Sequence, residues 1–292
     1  MPGSRRNSPE AGTNAELTRS FSRNIEDYPE GIVLPVDKPY RWTSADVIRK
    51  VKYAAIHHFG KKNLKVGHAG TLDPLATGIL LVCIGPATKR AEELQRSAKE
   101  YVAGVTFGAT TPSYDLEKDI DCEYPLDGVS EAALRAALPA FVGEQDQVAP
   151  LFSAKSVDGV RAYETARRLL REAQREGRAF DPGDVLQSSR ITIYDLELLS
   201  WHEDIVQDFT DDGLGRIRVA DISGRHLPTA MVRVACSKGT YIRALARDLG
   251  EALGSGAFLS SLCRTKNGGF GIEDAVSLEE VLQMLGPDSS PE

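Results

Sequence analysis

The stretch GHAGTLDPLATGIL, Gly67 to Leu80, sets one carboxylate, Asp73, and one imidazole, His68, among three glycines, a proline and two threonines. A solvated loop ordinarily carries several charges. Glycines at 67, 70 and 78 allow backbone angles and close approaches denied to other residues, and Pro74 stiffens the chain just after the acid. The run reads as a tight, ligand-facing loop that holds a reactive carboxylate. It passes into ILLVCIG, a continuous apolar run of strand length.

Upstream, GIVLPVD has strand character, and Thr43 or Ser44 caps a helix carrying Val47, Ile48, Val51 and Ala55 on one face. Downstream, TKRAEELQRSAK reads as a short helix and EYVAGVTFG as a strand with alternating faces. SVDGVRAY places Asp158 and Gly159 as a hairpin turn, which favours antiparallel pairing. A helix is expected from Tyr163 to about Arg175. SRITIYDLELLS and TAMVRVACS are further strands, and YIRALARDLGEALG is a helix with Ile242, Leu245, Leu249 and Leu253 aligned. The expected fold class is α+β, a mainly antiparallel central sheet with peripheral helices. Residues 1–28, polar and rich in Ser, Asn and Arg, read as a disordered tail, and 29–272 as the main domain. Residues 273–292 read as a short helix, with Ser277 and Glu280 as its capping box, and a polar tail.

With 41% apolar residues in 292, the chain can bury one good core. Cys83, Cys122, Cys236 and Cys263 are scattered without a C-x-x-C pair, so neither a disulfide framework nor a zinc site is indicated, and a reducing cytoplasm fits. The N-terminus has no apolar core behind its basic residues, and no later run approaches membrane-spanning length, which argues against secretion and insertion. A net charge of -7 argues against nucleic-acid binding as a sum. The distribution differs: acidic residues crowd WHEDIVQDFTDDG, whereas RKVKYAAIHHFGKKNLK (49–65) and VRAYETARRLLREAQREGR (160–178) are basic. Each basic run is either a solvated helix face or a phosphate-binding patch.

GHAGTLDPLATGILLVCIGPATK resembles the catalytic motif of the TruB family of pseudouridine synthases, whose essential aspartate falls at Asp73. Five further segments are similar to family motifs in the same order: GIVLPVDKPYRWTSADV, KEY at 99–101, GATTPSYD ending at Asp115, RVACSKGTYIRALARDLG and GAFLSSLCRTKNGGF. The resemblance covers roughly residues 31 to 271 and implies a cytoplasmic tRNA pseudouridine synthase acting on uridine 55 of the T arm, with 29–272 as its catalytic domain. It implies no cofactor, no metal and no protein partner. The reaction breaks the C1'–N1 glycosidic bond, turns the uracil and rejoins it through C5, without net gain or loss of atoms. By resemblance, Arg243 pairs with Asp73, Tyr101 stacks on the uracil, and Tyr241 and Leu262 line the same pocket. His68 fills or props the space left by the flipped base, and Lys99 and Lys238 contact phosphates. The chemistry agrees: a guanidinium suits a carboxylate that must act ionised, and a stacked uridine must be flipped out to be reached.

The chain also departs from the family pattern. KPYRWTS carries Arg41 where a glycine is common, and APLFSAKSVDG carries Ala149 for a proline and Lys155 one position early. Only IEDAVSLEEVLQMLGPDSSPE follows the last motif, in place of a full RNA-binding domain of the PUA type. Competing readings are a tRNA-binding folding chaperone with dispensable catalysis, a guide-RNA-dependent synthase, and a ribosyl hydrolase with Asp115 as the second carboxylate.

Overall fold

A computed structural model describes residues 21–150, 188–205 and 217–286, with the backbone of 156–157 and 160–161. Ten strands build the main sheet: β1 (Ile32–Asp37), β2 (Val66–His68), β3 (Thr77–Ile84), β4 (Lys99–Phe107), β5 (Gly143–Val148), β6 (Ser188–His202), β7 (Thr229–Cys236), β8 (Ala257–Asn267), β9 (Phe270–Gly271) and β10 (Val276–Ser277). Their order is β10-β1-β3-β8-β4-β7-β6-β5, with β2 on β3 and β9 on β8. Only β1–β10 and β3–β8 run parallel. The helices α1 (Ser44–Phe59), α2 (Ala91–Arg96), α3 (Glu131–Ala137), α4 (Ile242–Ala252) and α5 (Leu278–Met284) lie around it. This is the expected α+β class.

The unbroken apolar run of β3 is explained by cover on both faces. Leu80, Val82 and Ile84 join a core with Val47, Val51 and Ala55 of α1, while Ile79, Leu81 and Cys83 pack with Ala69 and Ala87 on the other side. Helix α1 starts as its sequence dictates. The Thr43 hydroxyl accepts the Asp46 N–H at 3.0 Å, and the Asp46 carboxylate accepts the Thr43 N–H at 3.2 Å.

Both expected domain edges move. Residues 21–28 are not a free tail: Ile25 is 5% exposed in the main core, and Phe21 meets Tyr28 edge to face at 6.0 Å. At the other end, β10 pairs with β1, and Leu278, Val281 and Leu285 share the core of α1, so residues 273–286 belong to the same packed body. Apolar residues isolated in polar sequence, such as Ile25, carry no periodic signal. Ser156–Val157 and Val160–Arg161 pair antiparallel, as a hairpin about Asp158 and Gly159 requires. Lys155, the helix expected over 163–175, residues 1–20 and the side chains of the 160–178 basic run lie outside the described residues. Arg41 takes φ +62°, a left-handed angle that costs an ordinary residue about 1–2 kcal/mol, and its Nε donates to the Ile217 carbonyl at 2.6 Å.

Candidate active site

The loop read from the sequence is fixed at both ends by buried polar groups. Gly78 adopts φ +89°, and a Cβ there would lie 2.3 Å from the Arg264 carbonyl oxygen, so only glycine lets β3 start against β8. Its N–H donates to Asp37 Oδ1 at 2.9 Å. Gly70 is also left-handed, at φ +98°, but Gly67 is not: it lies on β2 with open space where a Cβ would stand. The freedom expected at three glycines is used at two. The Ser44 hydroxyl donates to the Leu72 carbonyl at 3.0 Å and accepts the Leu72 N–H at 2.9 Å. Lys38, fully buried, donates from Nζ to the carbonyls of Pro39 (2.9 Å), Trp42 (2.6 Å) and Pro74 (3.0 Å). Burial pulls its ammonium down to about 7, against the pull of the Asp73 charge. Arg264, 1% exposed, donates from Nε to the Ile79 carbonyl at 2.7 Å and from Nη2 to the Gly70 carbonyl at 3.0 Å. Anchors of this kind hold a reactive side chain in one geometry.

Asp73 meets Arg243 in a bidentate pair, Nε to Oδ2 at 2.9 Å and Nη2 to Oδ1 at 3.1 Å. Arg243 is buried at the start of α4, whereas the Asp73 side chain keeps 36% of its surface exposed. The guanidinium is itself held from behind: Nη1 donates to the Ser113 carbonyl at 3.1 Å, and Nε lies 3.7 Å from Asp115 Oδ2. Asp115 accepts the Ser113 hydroxyl at 2.6 Å and the Glu117 N–H at 3.0 Å. Burial pushes the Asp115 carboxyl above the usual carboxylate range, against the opposing pull of Arg243.

Glu117 is pushed by burial, and then by the Asp115 charge, from the ordinary 4.5 up to about 7. A carboxyl whose folded pKa is raised binds its proton more tightly when folded, so it destabilises the fold progressively as pH rises from about 4.5 to 7. Glu117→Gln is therefore expected to raise the melting temperature at pH 8 and to leave it unchanged near pH 4.5. Equal effects at the two pH values in thermal melts would refute this account.

A cavity of about 380 Å³ opens over this pair, within the range of small-molecule sites. Of the eight residues read from the sequence, seven line it: Asp73, Lys99, Tyr101, Lys238, Tyr241, Arg243 and Leu262. His68 does not. It is half-buried on β2 opposite Val82, with Nδ1 buried and without a hydrogen bond to a described residue, and burial, then the Arg264 charge, holds its pKa below the ordinary histidine value. Lys99 departs from its expected part as a phosphate contact. Its side chain is buried, and Nζ donates to the carbonyls of Gln95 and Ser97, both at 2.5 Å. Lys238 is exposed.

Sequence reasoning missed Arg264 and Gln95, which also line the cavity. Arg264 stands opposite Tyr101, and Leu262 opposite Ala103, across β8 and β4, so Tyr101, Leu262 and Arg264 share one sheet face. A lone arginine in CRTKN reads as solvated. Only the β8 register, which puts it at the same level as buried Tyr101, reveals it.

Residues 57–242 match the model for the N-terminal domain of TruB family pseudouridylate synthases, and residues 243–289 match the tRNA pseudouridylate synthase B C-terminal domain. The chain belongs to the TruB family. Relatives named tRNA pseudouridine synthase B include that of Phocaeicola vulgatus, 44% identical over 89% of this chain and 95% of the relative. That of Thermus thermophilus is 40% identical over 84% and 76%. Among solved structures, a chain of a Cbf5-Nop10-Gar1 complex matches with TM-score 0.57 at 26% identity, over 89% of this chain and 56% of that one. The two TruB segments do not form separate bodies. The second opens on Arg243, partner of Asp73 in the first, and its β8 lies between β3 and β4 of the first. Among the described residues, no helix of this TruB chain is long and apolar enough to cross a membrane.

Proposed function

We propose that the chain is a tRNA pseudouridine synthase, an isomerase that converts uridine 55 of the T arm to pseudouridine in the cytoplasm, with Asp73 as the catalytic carboxylate. The observation that carries this reading is the bidentate Asp73–Arg243 pair facing a cavity walled by Tyr101, Tyr241 and Leu262. It is supported by membership of a family whose members at 40–45% identity bear that name.

The cavity receives the target uridine only if that nucleotide swings out of its helix or loop, and the Tyr101 ring then replaces the lost stacking. Asp73 acts on the nucleotide either as nucleophile or as base at the ribose. Arg243, buried and fixed by Ser113 and Asp115, holds the carboxylate in place without water having to reorganise. The C1'–N1 bond breaks, C1' bonds to C5, the C5 proton passes to water, and N1, freed from the ribose, takes up a proton from water, so that no atom is gained or lost. Exposed Lys238 adds positive charge at the cavity for a flanking phosphate.

Bare tRNA transcript, tritiated at uracil C5, tests the reading: the purified protein alone should release label to water. No release by folded protein overturns it, and release only with an added guide RNA would favour the guide-dependent reading. A hydrolase would free uracil instead. Its proposed second carboxylate, Asp115, is buried behind Arg243 and does not line the main cavity. Tyr101→Leu should lower single-turnover rate by about 10–100-fold, the worth of one base–aromatic stack, and Tyr101→Phe should lose less. Equal losses would assign the effect to the hydroxyl.

A further inference from the structure

The basic run Arg49–Lys65 is not part of the reactive cavity, yet it does not form a merely solvated face. Lys52, Lys62 and Lys65 converge with Asn63, Gly67 and Thr88 on a second hollow of about 470 Å³. All three lysines are exposed, and none of their ammonium groups has a hydrogen bond or ion pair to a described residue. Their neighbours do: Arg49 pairs with Asp46 at 2.8 Å and Lys61 with Glu26 at 2.7 Å. The hollow therefore gathers three cations without an ion pair to a described residue, Lys52 from α1 and Lys62 and Lys65 from the following loop, and no acidic residue among the described ones lines it.

Its position relates it to the cavity. Gly67 lines the hollow and Gly70, three residues on, lines the cavity; Thr88, in the turn before α2, lines the hollow, and Gln95, near the end of α2, lines the cavity. At about 3.3 Å per extended residue, Gly67 and Gly70 stand at most about 10 Å apart, so the two spaces are neighbours. The apolar lining consists of Leu64, which is buried, and Val66, which is half-buried, so the surface offers charge without the apolar centre a protein partner needs.

We propose that this groove binds the phosphodiester backbone of the RNA strand next to the nucleotide held over Asp73. The inference rests on the tRNA reading above and adds a contact that reading does not contain. Lysines suit such a groove, because each is a point charge on a flexible stem that follows a phosphate track without reading its sequence.

The proposal is tested by direct binding of a T-arm RNA hairpin across salt, with the full chain. Substituting Lys52→Ala, Lys62→Ala and Lys65→Ala together should flatten the slope of log affinity against log salt by about 2, at about 0.7 per lost contact. A charge-matched control, Lys50→Ala with Arg135→Ala and Arg190→Ala, removes three exposed cations outside the groove and should leave the slope nearly as in the wild type. An unchanged slope in the groove variant, or equal flattening in the control, overturns the proposal. So does polyglutamate competing as well as the hairpin. Tritium release is read in parallel. Release by the wild type with an unchanged groove slope sinks the groove alone, whereas no release with a flattened slope sinks the synthase reading and leaves an RNA-binding groove.

Discussion

Asp73→Asn is expected to lower single-turnover pseudouridine formation by about 10⁴-fold or more, with tRNA affinity held within a few-fold. The amide keeps the shape of the side chain and one acceptor for Arg243 but loses the charge that either role of Asp73 needs. Folding should suffer little, by about 1 kcal/mol. Asp73 is partly exposed, so the amide is hydrated, and Arg243 retains the Ser113 carbonyl and the Asp115 carboxylate. Rapid-quench assays with enzyme in excess, beside a hairpin binding titration, check both halves. Measurable multiple turnover by the purified variant would remove Asp73 from the chemistry.

Arg243→Lys should damage rate and stability together. The guanidinium reaches both Asp73 oxygens, the Ser113 carbonyl and the vicinity of Asp115 at once from a buried position. An ammonium has three donors at one point and cannot span that set. The expected loss is about 2–4 kcal/mol of stability, because buried Asp115 is left with a poorer partner, and about 10²-fold or more in rate. Adding Asp115→Asn should return part of the stability and none of the rate, since the carboxylate that acts would still be misplaced. Denaturant titrations and single-turnover rates separate the two. A lysine variant with a rate within a few-fold of wild type would make the bidentate geometry irrelevant.

What could be read from the sequence was what carries its own local signal. Asp73 stands alone among glycines, Thr43 or Ser44 stands where a helix cap belongs, and β3 is a continuous apolar run of strand length. The Arg243 pairing was legible through the family motif, and its geometry agrees. What could not be read depends on distant partners. Lys38 and Arg264 look like surface cations until Pro74, Gly70 and Ile79 bring carbonyls to them from elsewhere in the chain. Lys99 looked free for a phosphate because nothing local showed that Gln95 and Ser97 turn their carbonyls toward it. Gly67 shares its motif with Gly70 and Gly78 but not their positive φ, and of the three only Gly78 is pressed by a distant segment, at the Arg264 carbonyl. Within the basic run 49–65, Lys61 pairs with Glu26, 35 residues upstream, a contact that no local pattern shows.

β8 occupies the middle of the sheet but is the last of its long strands to leave the ribosome. About 150 residues separate the end of β4 at Phe107 from Ala257, and at about 5–20 residues per second their synthesis takes about 8–30 s. During that interval β3 and β4 offer bare backbone edges to each other, to neighbouring nascent chains and to chaperones. Arg264 and Leu262 arrive only when the gap is filled, and Arg243 emerges shortly before them. Catalytic competence and escape from aggregation are thus delivered by one late insertion, and the nascent chain remains both inert and adhesive until it happens.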